Sequence, residues 1–189
     1  MYRDEELIEQ IKNGNDDAFR TLMERYMKHV YNFVHQYIRT DDDTEDVVQD
    51  AFYKTWKYIK RFKVGMKFKP WLFTIARNTA LDHIKKKKAF PFMDMNSDNE
   101  ENLSFEETIA DTEPLPPEIF AKNELASEFK SLLETLHPDH RVVITMHYEQ
   151  EMTFEEIALI MDKPMNTVKS WHRRSLSKIR EKMLHQKTL

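Results

Sequence analysis

Glycine occurs only twice in this 189-residue chain, at Gly14 and Gly65, and that scarcity narrows what the chain can fold into. Gly-rich phosphate loops, dinucleotide fingerprints and tight β-hairpins need residues that take positive φ or let a backbone approach a ligand. Those chemistries are nearly excluded, and a mostly helical protein is expected. Cysteine is absent, which removes disulfides, thiolate catalysis and cysteine-ligated zinc, and is neutral toward a reducing compartment. No apolar run approaches the roughly 20 residues needed to span a bilayer, and MYRDEELIEQ lacks a signal-peptide pattern. A cytoplasmic chain is expected.

The net charge of −4 looks wrong for a nucleic-acid binder until it is divided along the chain. Residues 1–90 carry 18 Lys and Arg against 14 Asp and Glu, and residues 91–121 carry none against 9. The last 27 residues, 163–189, carry 8 against 1. Two basic ends therefore flank a purely acidic stretch, an asymmetry that the whole-chain charge conceals.

Hydrophobic spacing organises the first 90 residues into helices. Leu7, Ile8 and Ile11 open a short one, and Asn13-Gly14-Asn15 supplies a turn. Phe19, Leu22, Met23, Tyr26, Val30, Phe33, Val34 and Tyr37 then recur every three or four residues, the period of an amphipathic helix. Asp41-Asp42-Asp43-Thr44 offers cap oxygens and negative charge to the next helix. That helix carries Val47, Val48, Ala51, Phe52, Thr55, Trp56 and Ile59 inward. A basic loop from Lys60 to Lys69 ends at Pro70, a good first helical position. Trp71, Leu72, Ile75, Ala76 and Thr79 form the inner face of the helix it opens, which closes on Lys85 to Lys88.

From about Phe90 to Pro117 periodicity vanishes, and the stretch holds four of the chain's seven prolines. It is long for a loop within one compact domain. The fold class expected is all-α, with two small helical domains joined by a flexible acidic linker: 1–90, 91–117 and 118–189. In the second domain Leu125, Phe129, Leu132, Leu133 and Leu136 share a face that stops at His137-Pro138. A short helix through Val142, Val143 and Met146 follows, and Thr153-Phe154-Glu155-Glu156 is a capping box opening another. Asp162 to Met165 breaks it, and Asn166 or Thr167 is the expected cap of the last helix.

A capped short helix, a Pro-containing break and a longer basic helix make the helix-turn-helix pattern, the C-terminal half's chief feature. On the last helix Val168, Ser175, Leu176, Ile179 and Met183 fall on one side. Ser170, Arg173, Arg174, Ser177 and Arg180 fall roughly opposite, with Lys169 and Trp171 on the flanks. That outward face has guanidinium forks and hydroxyls without carboxylates, which suits phosphates and guanine edges. A solvated basic face is the plain alternative; the coincidence of box, turn and one-sided basicity favours duplex DNA. His172 lies near the inner stripe and reads as packing.

In the first domain Lys57, Tyr58, Lys60, Arg61, Phe62, Lys63, Lys67, Phe68, Lys69 and Trp71 interleave cations with rings. Unpaired nucleic acid is held this way, cations following phosphates and rings stacking on bases. An aromatic core flanked by solvated lysines explains the same composition equally well. Trp56, Leu72 and Ile75 read as core, and Phe62 is the ring that packing explains least. No catalytic set emerges: Asp41 to Asp43 read as cap residues, His137 and His140 lack a third close ligand, and no Ser-His-Asp order is discernible. No enzyme, cofactor or metal site is expected.

The segments DDAFRTLMERY, TEDVVQDAFYKTWKYIKRF, KFKPWLFTIARNTALDHIKKKK, LLETLHPDHRVVITMHYEQEMTFEEIALIMDKP and NTVKSWHRR resemble bacterial extracytoplasmic-function (ECF, group IV) sigma factors. The resemblance spans nearly the whole chain apart from the linker, in the family's order and spacing. It implies an initiation subunit that directs RNA polymerase core to promoters and helps melt the −10 element. The polymerase-clamp contact would fall on Asp46, Gln49 and Asp50, with the flap as a second polymerase contact. The unpaired −10 strand would meet Lys60, Arg61, Phe62, Lys63 and Asn78, with Phe62 and Asn78 lining a pocket for a flipped-out base. The −35 duplex would meet Lys169, Ser170, Trp171, Arg173 and Arg174. An anti-sigma factor is a further partner the resemblance raises.

Two positions depart from the family pattern. Asn166 stands where Gly is usual, which Asn tolerates, and Trp171 stands where Arg is usual. Trp cannot fork onto guanine, so the −35 preference is open to change. The acidic linker reads either as a mimic of the transcript in the polymerase channel or as a solubilising tether. The competing overall reading is a stand-alone helix-turn-helix regulator acting as a dimer on palindromic DNA, which leaves the EDVVQDAF helix and the cation–aromatic loop without a task.

Overall fold

A computed structural model describes residues 2–63, 65–89 and 131–186, and the regular structure among them is entirely helical. The first body comprises α1 (Asp4–Lys12), α2 (Asp16–Ile38), α3 (Asp41–Tyr58), a 3-10 turn (Ile59–Arg61) and α4 (Phe68–Ala89). The second comprises α5 (Pro138–Tyr148), α6 (Phe154–Met161) and α7 (Met165–Gln186), with a helical turn at 131–134 before them. The linker 91–117, the start of the second domain near Glu118, and Leu125 and Phe129 lie outside the described residues.

Local signals place most boundaries. Asn13 ends α1, Gly14 turns the chain at φ 92°, and the Asn15 side chain accepts from the N–H groups of Asp17 and Ala18 to start α2. Thr153 and Glu156 form the expected reciprocal box at α6. His137 caps α5 through its ring nitrogen, with Pro138 at the first helical position.

Three caps differ from expectation. The cap of α3 is Thr40, which makes no side-chain cap bond; the three aspartates fill the first turn and act through their charge on the helix dipole. Helix α4 begins at Phe68, so Pro70 sits inside the first turn, where its missing N–H has no helical partner to lose. Helix α7 begins at Met165, and the Pro164 carbonyl accepts from both Thr167 and Val168, so neither Asn166 nor Thr167 is the cap.

Helix α4 packs on α2 and α3, burying Phe33, Val34, Val48, Ala51, Phe52, Leu72, Phe73, Ala76 and Ala80. The second body leans on the first, α6 against α4 and α5 against α2. One apolar cluster therefore runs through both, joining Leu72 and Phe73 to Val142, Met146, Ile157, Ile160 and Met161. A smaller cluster of Leu132, Leu133, Leu136, Ile144, Leu176 and Ile179 fixes α7 within its own body.

Candidate nucleic-acid interface

The helix-turn-helix is formed by α6, a turn at Asp162 to Pro164, and α7. Asp162 closes α6 in the left-handed region at φ 51°, a conformation that Asp tolerates better than most non-glycine residues. On α7, Val168, Ser175, Leu176 and Ile179 are buried, as their spacing predicts. Lys169 and Arg174 are exposed, while Ser170, Trp171 and Arg173 are half-buried. Trp171 packs on the His140 ring with centroids 5.5 Å apart and against the main cluster, so its indole supports α7 at least as much as it faces outward. The Nε of Arg173 is buried without a hydrogen-bond partner among the described residues.

Below the basic face, α7 rests on rings. His172 stacks on Tyr148, meets His147 and Phe154 at their edges, and lies 3.3 Å from the Tyr148 hydroxyl. Burial, reinforced by the neighbouring His147, pushes the His172 imidazole down to about 4. Burial, with His137 beside it, does the same to His140, also to about 4. Both rings are neutral at pH 7, packing groups rather than cations.

The basic stretch of the first body is arranged differently. Lys60, Arg61 and Lys63 are exposed, but Phe62 is only 7% exposed. Its ring lies 5.0 Å from that of Trp71 and 5.9 Å from that of Phe68, and its carbonyl accepts from the Lys12 ammonium at 2.7 Å. Packing thus explains the ring that sequence reasoning found hardest to place in a core. Asn78 is exposed on α4, seven residues after Trp71, which puts it on the same helix face about 10 Å further along. The structure therefore brings the Phe62–Trp71 pair and the Asn78 amide onto one side of α4.

Asp46, Gln49 and Asp50 are all exposed on α3. Gln49 borders an apolar groove of about 560 Å³ between α2 and α3, lined also by Met23, Met27, Val48, Phe52, Tyr53 and Trp56. Trp56 is 50% exposed and Tyr53 60%, which overturns the reading of Trp56 as core. Gln49, Tyr53 and Trp56 form one row at i, i+4 and i+7, a single residue step round from the buried row Val48, Phe52 and Thr55. Sequence spacing carried that signal, but an aromatic at a row's edge reads as either inside or outside. Sequence reasoning also missed two cross-body contacts: Lys67 to Glu156 at 2.8 Å, and the Lys69 ammonium to the Gln150 carbonyl at 2.5 Å.

No group of three or more His, Asp or Glu among the described residues is placed to hold a metal ion, and no described helix is long and apolar enough to cross a membrane.

Comparison with known proteins agrees with this architecture. Residues 22–90 match Sigma-70 region 2, and residues 126–179 match Sigma-70, region 4. The ECF RNA polymerase sigma-E factor of Escherichia coli K12 is 34% identical over 169 residues, covering 88% of this chain and 87% of that protein. The ECF RNA polymerase sigma factor SigW of Bacillus subtilis 168 is 29% identical over 176 residues, 93% of this chain and 94% of that one. Among solved structures, CnrH in complex with the cytosolic domain of CnrY shares the fold with a TM-score of 0.64 at 23% identity, covering 95% and 96%. The Bartonella quintana sigma factor RpoE in complex with the anti-sigma factor NepR has a TM-score of 0.60 at 22%, covering 86% of this chain and 94% of that one.

Proposed function

This chain belongs to the ECF RNA polymerase sigma factors, and from that premise we propose how it divides a promoter between its two bodies. It is an initiation factor rather than an enzyme: it directs RNA polymerase core to specific promoters and helps melt the −10 element. We assign it to group IV of the sigma factors, acting in the cytoplasm.

Residues 1–90 are the clamp-binding and −10 domain in this reading, 91–117 the acidic linker, and 118–189 the −35 domain. The α2–α3 groove takes an apolar element of the polymerase clamp, with Asp46, Gln49 and Asp50 at its rim selecting a basic partner. Lys60, Arg61 and Lys63 follow the phosphates of the unpaired −10 strand. A flipped-out base stacks at the Phe62 ring and is read by the Asn78 amide; extruding a base costs a few kcal/mol, which stacking and edge hydrogen bonds offset. Lys169, Ser170, Arg173 and Arg174 meet the −35 duplex in the major groove, with Trp171 seating the helix and offering its edge to sugar or a thymine methyl. An anti-sigma factor is a further partner, as the relative solved with one suggests.

The carrying observation is that one chain holds two unlike basic surfaces, a loop whose exposed Lys60, Arg61 and Lys63 flank a Phe62 ring packed on Trp71 and a straight helix whose basic side chains lie opposite its buried face. Two weak DNA contacts held at fixed spacing by the polymerase give a selectivity that neither has alone. Run-off transcription on a genomic library with the reconstituted holoenzyme tests it. Discrete start sites that core polymerase does not use are expected; start sites no different from those of core alone would reject the assignment.

A further inference from the structure

Phe62 is held from more sides than a residue between exposed cations needs. Its N–H donates to the Ile59 carbonyl at 3.0 Å, closing the 3-10 turn, and its carbonyl accepts from the Lys12 ammonium at 2.7 Å. Its ring lies against Phe68 and Trp71 on α4. Lys12 is the last residue of α1 and half-buried, and Phe62 stands 50 residues further along the chain. Leu7, Ile8 and Ile11 of α1 are buried in the same cluster as Ile59 and Phe62, so the helix that carries Lys12 is itself fixed against the turn.

Helix α1 also braces these rings from its other end. The Tyr26 hydroxyl donates to the Asp4 carboxylate, which the Arg25 guanidinium engages as well. The Tyr26 ring lies 5.6 Å from that of Phe68, which in turn meets Phe62 and Trp71. Both ends of α1 therefore bear on the aromatic group beside which Lys60, Arg61 and Lys63 project. Those three side chains are exposed, so the backbone at Phe62 rather than their own packing decides where they point. Helix α1 lies ahead of residues 22–90, the part matched to Sigma-70 region 2, and no residue of it lines the α2–α3 groove.

We propose that Lys12 is a positioning residue for capture of the unpaired −10 strand, fixing through the Phe62 carbonyl the direction in which Lys60, Arg61 and Lys63 meet its phosphates. The inference rests on the strand-binding role given above to those three residues. A charge-assisted hydrogen bond is roughly twice as strong as a neutral one, so a half-buried ammonium on this carbonyl holds one path of the turn against the others. Without it the turn samples paths that do not meet the strand. Apparent affinity then falls with the competent fraction, while the contacts made once bound stay the same. Lys12 therefore differs from a phosphate contact: its loss weakens strand binding without changing how that binding responds to salt.

Lys12→Met removes the ammonium from a side chain of similar length, Lys12→Arg keeps a cationic donor, and Ile8→Val loosens α1 without touching the Phe62 carbonyl. Each is assembled into holoenzyme and titrated with a single-stranded −10 oligonucleotide taken from a start site that the wild type selects. Lys12→Met is expected to bind the strand about tenfold more weakly. Its circular dichroism, polymerase affinity, −35 duplex binding and salt slope should match wild type, whereas Lys60→Ala should lower that slope by about 0.7. Lys12→Arg is expected to recover most of the lost affinity, and Ile8→Val to lose none. A salt slope lowered by Lys12→Met as far as by Lys60→Ala would make Lys12 itself a phosphate contact and overturn the positioning role. Equal weakening in Ile8→Val would overturn it too, as would loss of circular dichroism or polymerase affinity alongside strand binding, since each marks a structural role only. Unchanged strand affinity in Lys12→Met, with normal start-site selection, would overturn it while leaving the proposed function intact. A wild-type holoenzyme that selects no discrete start sites would reject that function, and this inference with it.

Discussion

The two basic surfaces of this molecule are built in opposite ways. On α7 the cations stand on a straight helix above a seat of rings, with His172 and His140 kept neutral by burial. In the 60–69 stretch the key ring lies inside the core, and two lysines are committed to the other body. A helix that enters a major groove meets a rigid duplex and gains from being preformed. A loop that takes an unpaired strand must present rings and cations that would otherwise find partners within the protein. The difference teaches that basic composition alone does not define an available binding surface.

The largest expected effect tests whether the bodies share one core. Phe73 is fully buried on α4, and Phe73→Ala should cost about 3–5 kcal/mol. Urea unfolding followed by tryptophan fluorescence and by circular dichroism should give one coincident transition, because the cluster crosses the boundary. Two separate transitions would break the picture of continuous packing.

The next separates packing from stacking at the loop. Phe62→Leu keeps an apolar side chain but loses the ring and some volume, so the fold should survive at a cost of about 1–3 kcal/mol while open-complex formation fails. Asn78→Ala, at an exposed site, should leave stability unchanged and impair melting likewise. Permanganate reactivity of the −10 thymines reads both, and wild-type reactivity in either variant would remove that residue from the pocket.

On the other surface, Arg173→Ala and Arg174→Ala should each weaken −35 duplex binding by about 1–3 kcal/mol if they reach bases. Fluorescence anisotropy against a panel of −35 variants separates base from phosphate contacts, since a uniform loss across the panel marks a phosphate.

The histidine seat predicts a smaller, pH-dependent effect. Both imidazoles are lowered to about 4 in the fold against an ordinary value near 6.5, so between those values the unfolded chain binds more protons. Their contribution to stability is complete above about pH 6.5 and is lost as pH falls toward 4. The urea midpoint should drop between pH 7 and pH 5, and His172→Gln should flatten that slope. Smallest is Asp162→Gly: relieving a left-handed non-glycine residue at φ 51° should change stability by less than about 1 kcal/mol, read as a small rise in Tm.

Most of the fold was legible in the sequence because its signals were local. The period of Leu22 to Tyr37, the Thr153–Glu156 box and the Asn13-Gly14-Asn15 turn each involve neighbours in the chain. Where local rules gave competing answers they misled: Trp56 sits at the edge of an amphipathic row, and Pro164 presents the α7 terminus through its carbonyl, which no side-chain preference announces. The contacts between bodies were not legible at all. Lys67 and Glu156 are 89 residues apart, and a surface carboxylate that caps its own helix gives no sign of a distant lysine. The buried Phe62 ring shows the same limit, since loop position between polar neighbours hid its packing on α4.

The division of the promoter between the bodies is tested most directly by holoenzyme binding to two separate DNA pieces, a −35 duplex and a single-stranded −10 oligonucleotide. Arg173→Ala should weaken the duplex only, and Asn78→Ala the single strand only. Either variant losing both ligands to the same degree would contradict the account.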